Sequence, residues 1–377
     1  MKKFFALLLS LAMVLALVAC GQKDPTPDTP DTPDDPQTKV EYKVAMITDY
    51  GDITDQSFNQ TTYEACKAFA EDNSIEFSYF KPAGDNTADR VAMIEKAVDE
   101  GFNVIVMPGY AFGGAIVEAA PEFPDVKFIA LDVAAGDLLE TAVAKAGETY
   151  DYTPENWDLN KYVDMSNVYC AVYQEELCGY MAGYAAVKLG YKNLGFLGGM
   201  AVPAVQRYGY GFVQGVDAAA AELKLTDVKV NYAYGNQFFG DADITAAMDT
   251  WYAGGTEIVF ACGGGIYTSA VDAAKKVEGA KVIGVDVEAG VIAKYAGVDG
   301  MTVTSAMKGL YPATYDTLTD VIVNGNWDKY VGKIATLGLV SGTDPEANYV
   351  QIPMGDGTQW SDSFTQDDYK AMVKDMF

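Results

Sequence analysis

Histidine is missing from all 377 residues of the chain. Its absence takes away the commonest general base and the commonest zinc ligand. Cysteine is sparse, five residues with no C-x-x-C pair, which argues against a structural zinc site. Positive charge is short as well: 26 basic residues face 53 acidic ones, a net charge of −27. So acidic a body is a poor partner for nucleic acid. There is no P-loop, because the "GGG" of residues 263–265 is not followed by Lys-Ser or Lys-Thr, and it does not fit G-x-G-x-x-G either. What is abundant is apolar side chain. Half the residues are hydrophobic and 12% are aromatic, so the chain can build large cores. Its length exceeds what one core usually holds, and two lobes are expected.

The N-terminal residues are set apart from the rest. Lys2 and Lys3 precede an apolar run over residues 4–18 that is short for a spanning helix, and a small-residue cut site follows. This is the pattern of a secretory signal. Leu17-Val18-Ala19-Cys20 resembles the lipobox of bacterial lipoproteins. That resemblance implies a signal peptide over residues 1–19, cleavage before Cys20, and acylation of its thiol and amine, palmitate included. Two or three acyl chains hold a protein to a bilayer far more firmly than one. In "GQKDPTPDTPDTPDDPQT", residues 21–38, five prolines alternate with acids and threonines, a composition with nothing to bury. Residues 20–40 are expected to be a lipidated tether. At ~3 Å per residue its proline-rich part reaches roughly 50 Å, which would lift a body off the extracytoplasmic face of the cell membrane. Loss of residues 1–19 removes two lysines and no acid, leaving 24 basic and 53 acidic residues, a net −29.

From Lys39 onward, short apolar runs alternate with segments of helical period. Strands are expected over residues 43–48, 76–80, 103–107, 126–131, 167–172, 194–198, 228–234, 257–262, 281–286 and 301–307. The runs are continuously apolar, as in strands buried on both faces. Amphipathic stretches lie between most of them; Thr62, Ala65, Cys66 and Phe69 share one helical face. Such alternation specifies an α/β protein with parallel sheets flanked by helices. Ten strands suit two lobes better than one sheet. Residues 134–166, rich in acids and aromatics and without clear periodicity, read as a long loop and as the boundary between lobes. The tail adds a strand near 334–339 and a closing helix. Cys66 and Cys262 fall in apolar patterns as buried thiols, while Cys170 and Cys178 can pair only if the geometry allows.

In parallel α/β sheets, ligands bind beyond the carboxyl ends of the strands. The residues there are Asp49 after the first strand, Pro108-Gly109-Tyr110 after the third, Asp132 after the fourth and Gly198-Gly199 after the sixth. "FFGD" (238–241) follows the seventh, Gly263-Gly264-Gly265 the eighth, Asp286 the ninth and Lys308 the tenth, while Phe58 and Asn59 open the first helix. Carboxylates, one lysine, an amide, aromatics and bare glycine backbone thus converge on one cleft. Several of these residues also suit plainer roles. Asp55 fits a helix cap and Asp52 a solvated turn better than a ligand contact, and Asp49 stands open between the two. The spacing of the three acids misses the calcium-loop pattern, so no metal site is expected. The glycines could form a tight turn or offer backbone amides to a ligand oxygen. Lys308 could be an ordinary surface lysine, although its place at a strand end favours the cleft.

Taken in order, "TDYGDITDQSFNQ" (48–60), "FIALD" (128–132), "GFLGGMAVPAVQRY" (195–208), "ACGGG" (261–265), "IGVD" (283–286) and "TSAMK" (304–308) resemble the basic membrane lipoprotein family. These are substrate-binding lipoproteins of ABC transporters related to the purine nucleoside receptor, and the resemblance spans roughly residues 44–325. It implies two Rossmann-like lobes of the type 1 periplasmic-binding class, joined by a three-segment hinge with the ligand between them. Residues 41–166 and 308–328 are expected in the first lobe, and 167–307 and 329–377 in the second. By the same resemblance Asp49 and Asn59 contact the base, Asp132 adds a ligand contact, and Phe58 and Phe239 sandwich the base, with Phe238 a substitute for the latter. Gly265, Asp286 and Lys308 then hold the ribose. The chain departs from the usual pattern at Gln56, where lysine is common, in "GVDVEAG", which lacks the usual acid–glutamine pair after Asp286, and in the length of 134–166.

The chemistry of those residues agrees with such a ligand. Aromatic rings can sandwich a flat base, and carboxylates accept from ring N–H groups and hydroxyls. Several acids in one cleft disfavour a phosphate, hence a nucleotide. The expectation is a monomeric, lipid-anchored receptor without cofactor, which closes on a nucleoside, a purine nucleoside first, and delivers it to a permease. Two other readings stand beside it. A receptor for a monosaccharide or autoinducer-like sugar would use the same aromatic-plus-acid chemistry. A nucleoside hydrolase would need paired carboxylates, and the lack of histidine and of a metal cluster stands against an enzyme.

Overall fold

The computed structural model describes residues 41–49 and 51–377. The expected signal peptide, Cys20 and the tether lie outside the described residues. Tyr42–Phe377 form one compact unit. Along it run β1 (Lys43–Ile47), α1 (Phe58–Asn73), β2 (Glu76–Phe80), α2 (Thr87–Asp99), β3 (Val104–Pro108), α3 (Gly113–Ala119), β4 (Lys127–Leu131), α4 (Ala135–Lys145), α5 (Leu159–Tyr162) and β5 (Val168–Tyr173). Then come α6 (Glu175–Lys188), β6 (Asn193–Gly198), α7 (Pro203–Glu222), β7 (Lys229–Tyr234), α8 (Ala242–Ala253), β8 (Ile258–Cys262), α9 (Tyr267–Ala274), β9 (Lys281–Asp286), α10 (Ala289–Ala296) and β10 (Thr302–Lys308). The chain closes with α11 (Leu310–Leu318), β11 (Ile334–Leu337), β12 (Val350–Gln351) and α12 (Gln366–Met376).

The strands form two six-stranded sheets, ordered β11-β5-β4-β3-β1-β2 and β12-β10-β9-β8-β6-β7. Every pairing is parallel except β10 with β12. Both sheets therefore repeat one doubly wound order, and each finishes with a strand from the C-terminal region. Inner strands are apolar on both faces because helices cover both; β3 and β8 are buried at every residue. The edge strands β2, β7 and β11 meet solvent. Helix starts carry their own signals. Asn86 and Asp241 accept first-turn amides of α2 and α8, and Pro203 opens α7.

All ten expected strands are present within a residue or so, and the tail supplies β11 and α12. Two expectations need correction. Residues 134–166 are not one long loop: Leu138, Leu139, Ala142 and Val143 make a buried face on α4, and α5 follows. The lobe boundary does not fall there either. β5 pairs with β4 and β11 in the first sheet, so the chain leaves that sheet only after Tyr173, and β11 belongs to the first sheet rather than the second. A strand's partners are a long-range property, which its own apolar run does not encode.

The chain passes between the sheets three times: between β5 and α6, between β10 and α11, and between β11 and β12. The passages run side by side. Gln174 N donates to Leu337 O at 2.9 Å, Tyr349 N to Gly338 O at 3.0 Å, and Gly309 N to Tyr349 O at 2.7 Å. These backbone bonds make the passages one seam between the two lobes.

Candidate ligand cleft

The carboxyl ends of both sheets open onto one cavity of about 420 Å³. Asp49, Phe58, Asn59, Asp132, Phe239, Gly265, Asp286 and Lys308 all line it, so the eight positions picked from the sequence are brought together. On the first lobe, the turn between β1 and α1 is organised by acids. The Asp55 carboxylate accepts from the backbone N–H of Ser57, Asn59 and Gln60, which makes it the cap of α1. Asp52 is a turn residue that accepts from Thr54 and pairs with exposed Lys81. Asp49 Oδ1 accepts from Gly51 N at 2.7 Å and from Asn59 Nδ2 at 3.1 Å. Asn59 is thereby locked beside Asp49, its amide also bonded to Asp55. Phe58 packs half-buried beside it.

On the second lobe, Phe238 and Phe239 divide the work. Phe238 packs on bare backbone: a Cβ on Gly199 or Gly263 would come within 2.5 or 2.9 Å of its ring. Phe239 is 56% exposed while lining the cavity, so it and not Phe238 is the free ring there. Gly263 and Gly264 have φ of +141° and +52°, backbone that L side chains rarely adopt. Gly265 N donates to Phe238 O at 2.8 Å. Its amide is engaged within the loop, and what Gly265 gives the cavity is a wall without a side chain.

The floor is a network of buried charge. Lys308 is 2% exposed, with Nζ 2.6 Å from Asp132 Oδ2 and 3.0 Å from Glu175 Oε1; the surface-lysine role does not apply. Its ammonium also sits 5.2 Å above the Phe58 ring. Burial pushes its pKa down, but the carboxylates of Asp132, Glu175 and Asp286 outweigh burial and hold it well above the ordinary lysine value. Burial raises the Asp132 and Asp286 carboxyls, with Lys308 opposing in each case. Asp286 accepts from Ser57 Oγ of the other lobe at 2.9 Å and from Tyr208 OH at 3.2 Å. Asp132 and Asp286 end equivalent strands and share a left-handed backbone, φ +61° and +62°. Strain of this kind persists at sites where the surroundings hold the residue in place.

Glu175, Arg207, Tyr208 and Asp137 belong to the same surroundings and were not singled out from sequence. Glu175 has a signal: it lies two residues past β5, where the strand-end rule reaches. Arg207 and Tyr208 lie inside α7, beyond the reach of the strand-end rule, although they close the "GFLGGMAVPAVQRY" stretch that carries the family resemblance. Cys66, Cys170, Cys178 and Cys262 are free and buried; the first and last match their expected role, and Cys170 and Cys178 are not paired. Among the described residues no group of three or more histidine, cysteine, aspartate or glutamate side chains is placed to hold a metal ion, and no helix is long and apolar enough to cross a membrane.

A family model described as "ABC transporter substrate-binding protein PnrA-like" matches residues 42–343. The chain is 26% identical over 304 residues to the ABC transporter nucleoside-binding protein BmpA of Lactococcus lactis subsp. cremoris, covering 78% of this chain and 75% of that one. It is 26% identical to basic membrane protein B of Borreliella burgdorferi, over 82% and 83% of the two chains. A solved ABC transporter solute-binding protein from Aeropyrum pernix K1 superposes with a TM-score of 0.64 at 18% identity, covering 89% of this chain and 85% of that one. That likeness is one of fold.

Proposed function

The chain belongs to the PnrA-like family of ABC transporter substrate-binding proteins, whose role entails a small-molecule ligand and a permease, and we propose that its ligand is a purine nucleoside. One observation carries this reading. Two aromatic rings, Phe58 from the first lobe and Phe239 from the second, line the same cavity, the arrangement a flat base calls for. Asp49 and Asn59 stand beside Phe58 as a carboxylate–amide pair and read the base edge. Lys308, Asp132, Asp286 and the bare wall at Gly265 face the sugar. The name of the Lactococcus relative, a nucleoside-binding protein, supports the same class. The acidic floor disfavours a phosphate, so the ligand is a nucleoside and not its nucleotide. Asp52 and Asp55 take no part, one being a turn residue and the other a cap.

The test is calorimetry on protein freed of ligand by unfolding and refolding, with guanosine, inosine, adenosine, cytidine, uridine, their free bases, ribose and galactose. Purine nucleosides are expected to bind tightly, ribose weakly or not at all. Phe239→Ala should weaken nucleoside binding by roughly ten- to a hundredfold, as loss of one stacking ring worth ~1–3 kcal/mol per base predicts. Binding of a sugar alone would overturn the base sandwich. We also read Cys20 as the lipid anchor, from the lipobox. Cys20→Ser should then move the protein out of the membrane fraction, and unchanged fractionation would sink the anchor.

A further inference from the structure

Arg207 stands in the cleft with most of its hydrogen-bonding capacity unused. It sits in the second turn of α7 and lines the cavity with the strand-end acids. Its Nε donates to Glu175 Oε2 at 2.6 Å. That engages one of five N–H donors held in a rigid fork; among the described residues the two terminal amino groups make no further bond. The side chain is 32% exposed, although its partner Glu175 is wholly buried. An arginine kept only to neutralise Glu175 would be sealed in with it, and a lysine would serve that purpose. On the same cavity, Asp132 Oδ1 is buried and accepts no hydrogen bond, while its other oxygen is held by Lys308. The cavity therefore carries leftover donors and a leftover acceptor.

We propose that Arg207 is a specificity-determining residue, whose free amino groups donate to one sugar hydroxyl oxygen of the ligand while Asp132 Oδ1 accepts that hydroxyl's proton. A hydroxyl gives one bond and takes others, so it satisfies both leftovers at once. A carbonyl would satisfy only the arginine. A phosphate would meet the carboxylates of Asp132, Glu175 and Asp286. The inference rests on the proposal that the cleft takes a ligand with a sugar, and it assigns to Arg207 the recognition of one hydroxyl of it.

The experiment is a cycle of affinities on the full chain, wild type and Arg207→Lys, with inosine and its 2′-, 3′- and 5′-deoxy forms. Arg207→Lys keeps a cation for Glu175 but removes the fork, and its thermal midpoint should match the wild type. The expected result is a ten- to hundredfold weaker grip on inosine, with no loss for the one deoxy form that lacks the recognised hydroxyl. Equal losses for all four ligands would overturn the proposal, since Arg207 would then act only through Glu175. No loss in Arg207→Lys and none in Arg207→Gln would overturn it as well. If wild type binds a monosaccharide and no nucleoside, the nucleoside reading falls, and the same cycle with singly deoxygenated sugars decides the role of Arg207. If it binds neither, both fall.

Discussion

Asp137 shows how a single side chain near the cleft ties the fold to pH. Its Oδ2 accepts the Ala134 amide at 2.7 Å at the start of α4. Burial pushes its carboxyl up to about 7, the Ala134 amide pulling the other way and Asp132 and Glu140 adding to the rise. A carboxyl whose pKa rises on folding binds its proton more tightly in the folded state. Its contribution to stability is fully present below the unfolded value of 3.8 and is lost as pH rises through about 7. Asp137→Asn keeps an oxygen for the Ala134 amide and removes the titration. The variant should melt higher than wild type at pH 8, with the gap closing as pH falls toward 4. Melts at pH 4, 6 and 8 check this, and a gap independent of pH would refute it. The strand-end acids Asp49, Asp132 and Asp286 were legible in the sequence because the topology of a parallel sheet turns the carboxyl end of every strand toward the cleft. Asp137 was not, since its segment carried too little periodicity to reveal a helix whose first turn meets the cleft.

At the scale of elements, the crossing of α6 and α7 sets where Glu175, Arg207 and Tyr208 stand. Gly179 and Gly183 on α6 abut the backbone of Tyr208 and Phe212 on α7, and Gly211 and Gly215 on α7 abut that of Glu176 and Tyr180 on α6; each pair is four residues apart and hence on one face of its helix. A Cβ on Gly183 would lie 2.1 Å from Phe212 O, and one on Gly211 would lie 1.9 Å from Glu176 O. No rotamer relieves a clash with backbone, so the helices must part. Gly183→Ala, two turns from the cleft, should destabilise the protein by roughly 1–3 kcal/mol or more, and its melting temperature should drop by several degrees. Gly290→Ala on α10 is the control, because a Cβ there meets nothing within 4 Å and alanine favours the helix. Equal melting of the two variants would show that the crossing has slack. Strands were the most legible elements, since burial on both faces leaves an unbroken apolar run. β12, two residues long and antiparallel, is too short to leave any. Which sheet β5 joins, and so where the lobes divide, depends on partners far along the chain. The helix crossing is likewise invisible until two distant pairs of glycines are each seen to face the backbone of the other helix.

The whole molecule is two sheets joined by a seam of three chain passages, and the proposed receptor role turns on how readily the two lobes close. Besides the seam and the buried Lys308–Asp132 ion pair, which also joins the two lobes, they touch through a few polar contacts. Ser57 Oγ donates to Asp286 Oδ2 at 2.9 Å, Tyr267 OH to Gln56 Oε1 at 3.2 Å, and Tyr110 OH approaches Met200 Sδ at 3.8 Å. The first is the strongest, because its acceptor is a buried carboxylate. Both partners belong to the protein, so the bond favours the lobe arrangement in which it is made. A hydrogen bond to a charged group contributes about 1.5–3 kcal/mol, enough to move an open–closed equilibrium about tenfold or more. Ser57→Ala leaves the cap of α1 intact, since Asp55 supplies it, and removes the latch. The ligand-free variant should then scatter X-rays with a larger radius of gyration than ligand-free wild type. Added ligand should bring both to the same value, because bound ligand holds the lobes together by its own contacts. The apparent dissociation constant should rise by the factor by which the closed population falls, since a ligand that needs the closed form must supply the free energy of making it. Identical scattering of the empty proteins, with an unchanged dissociation constant, would mean that the seam and the Lys308–Asp132 pair set the angle between the lobes and that Ser57 only fills space beside Asp286.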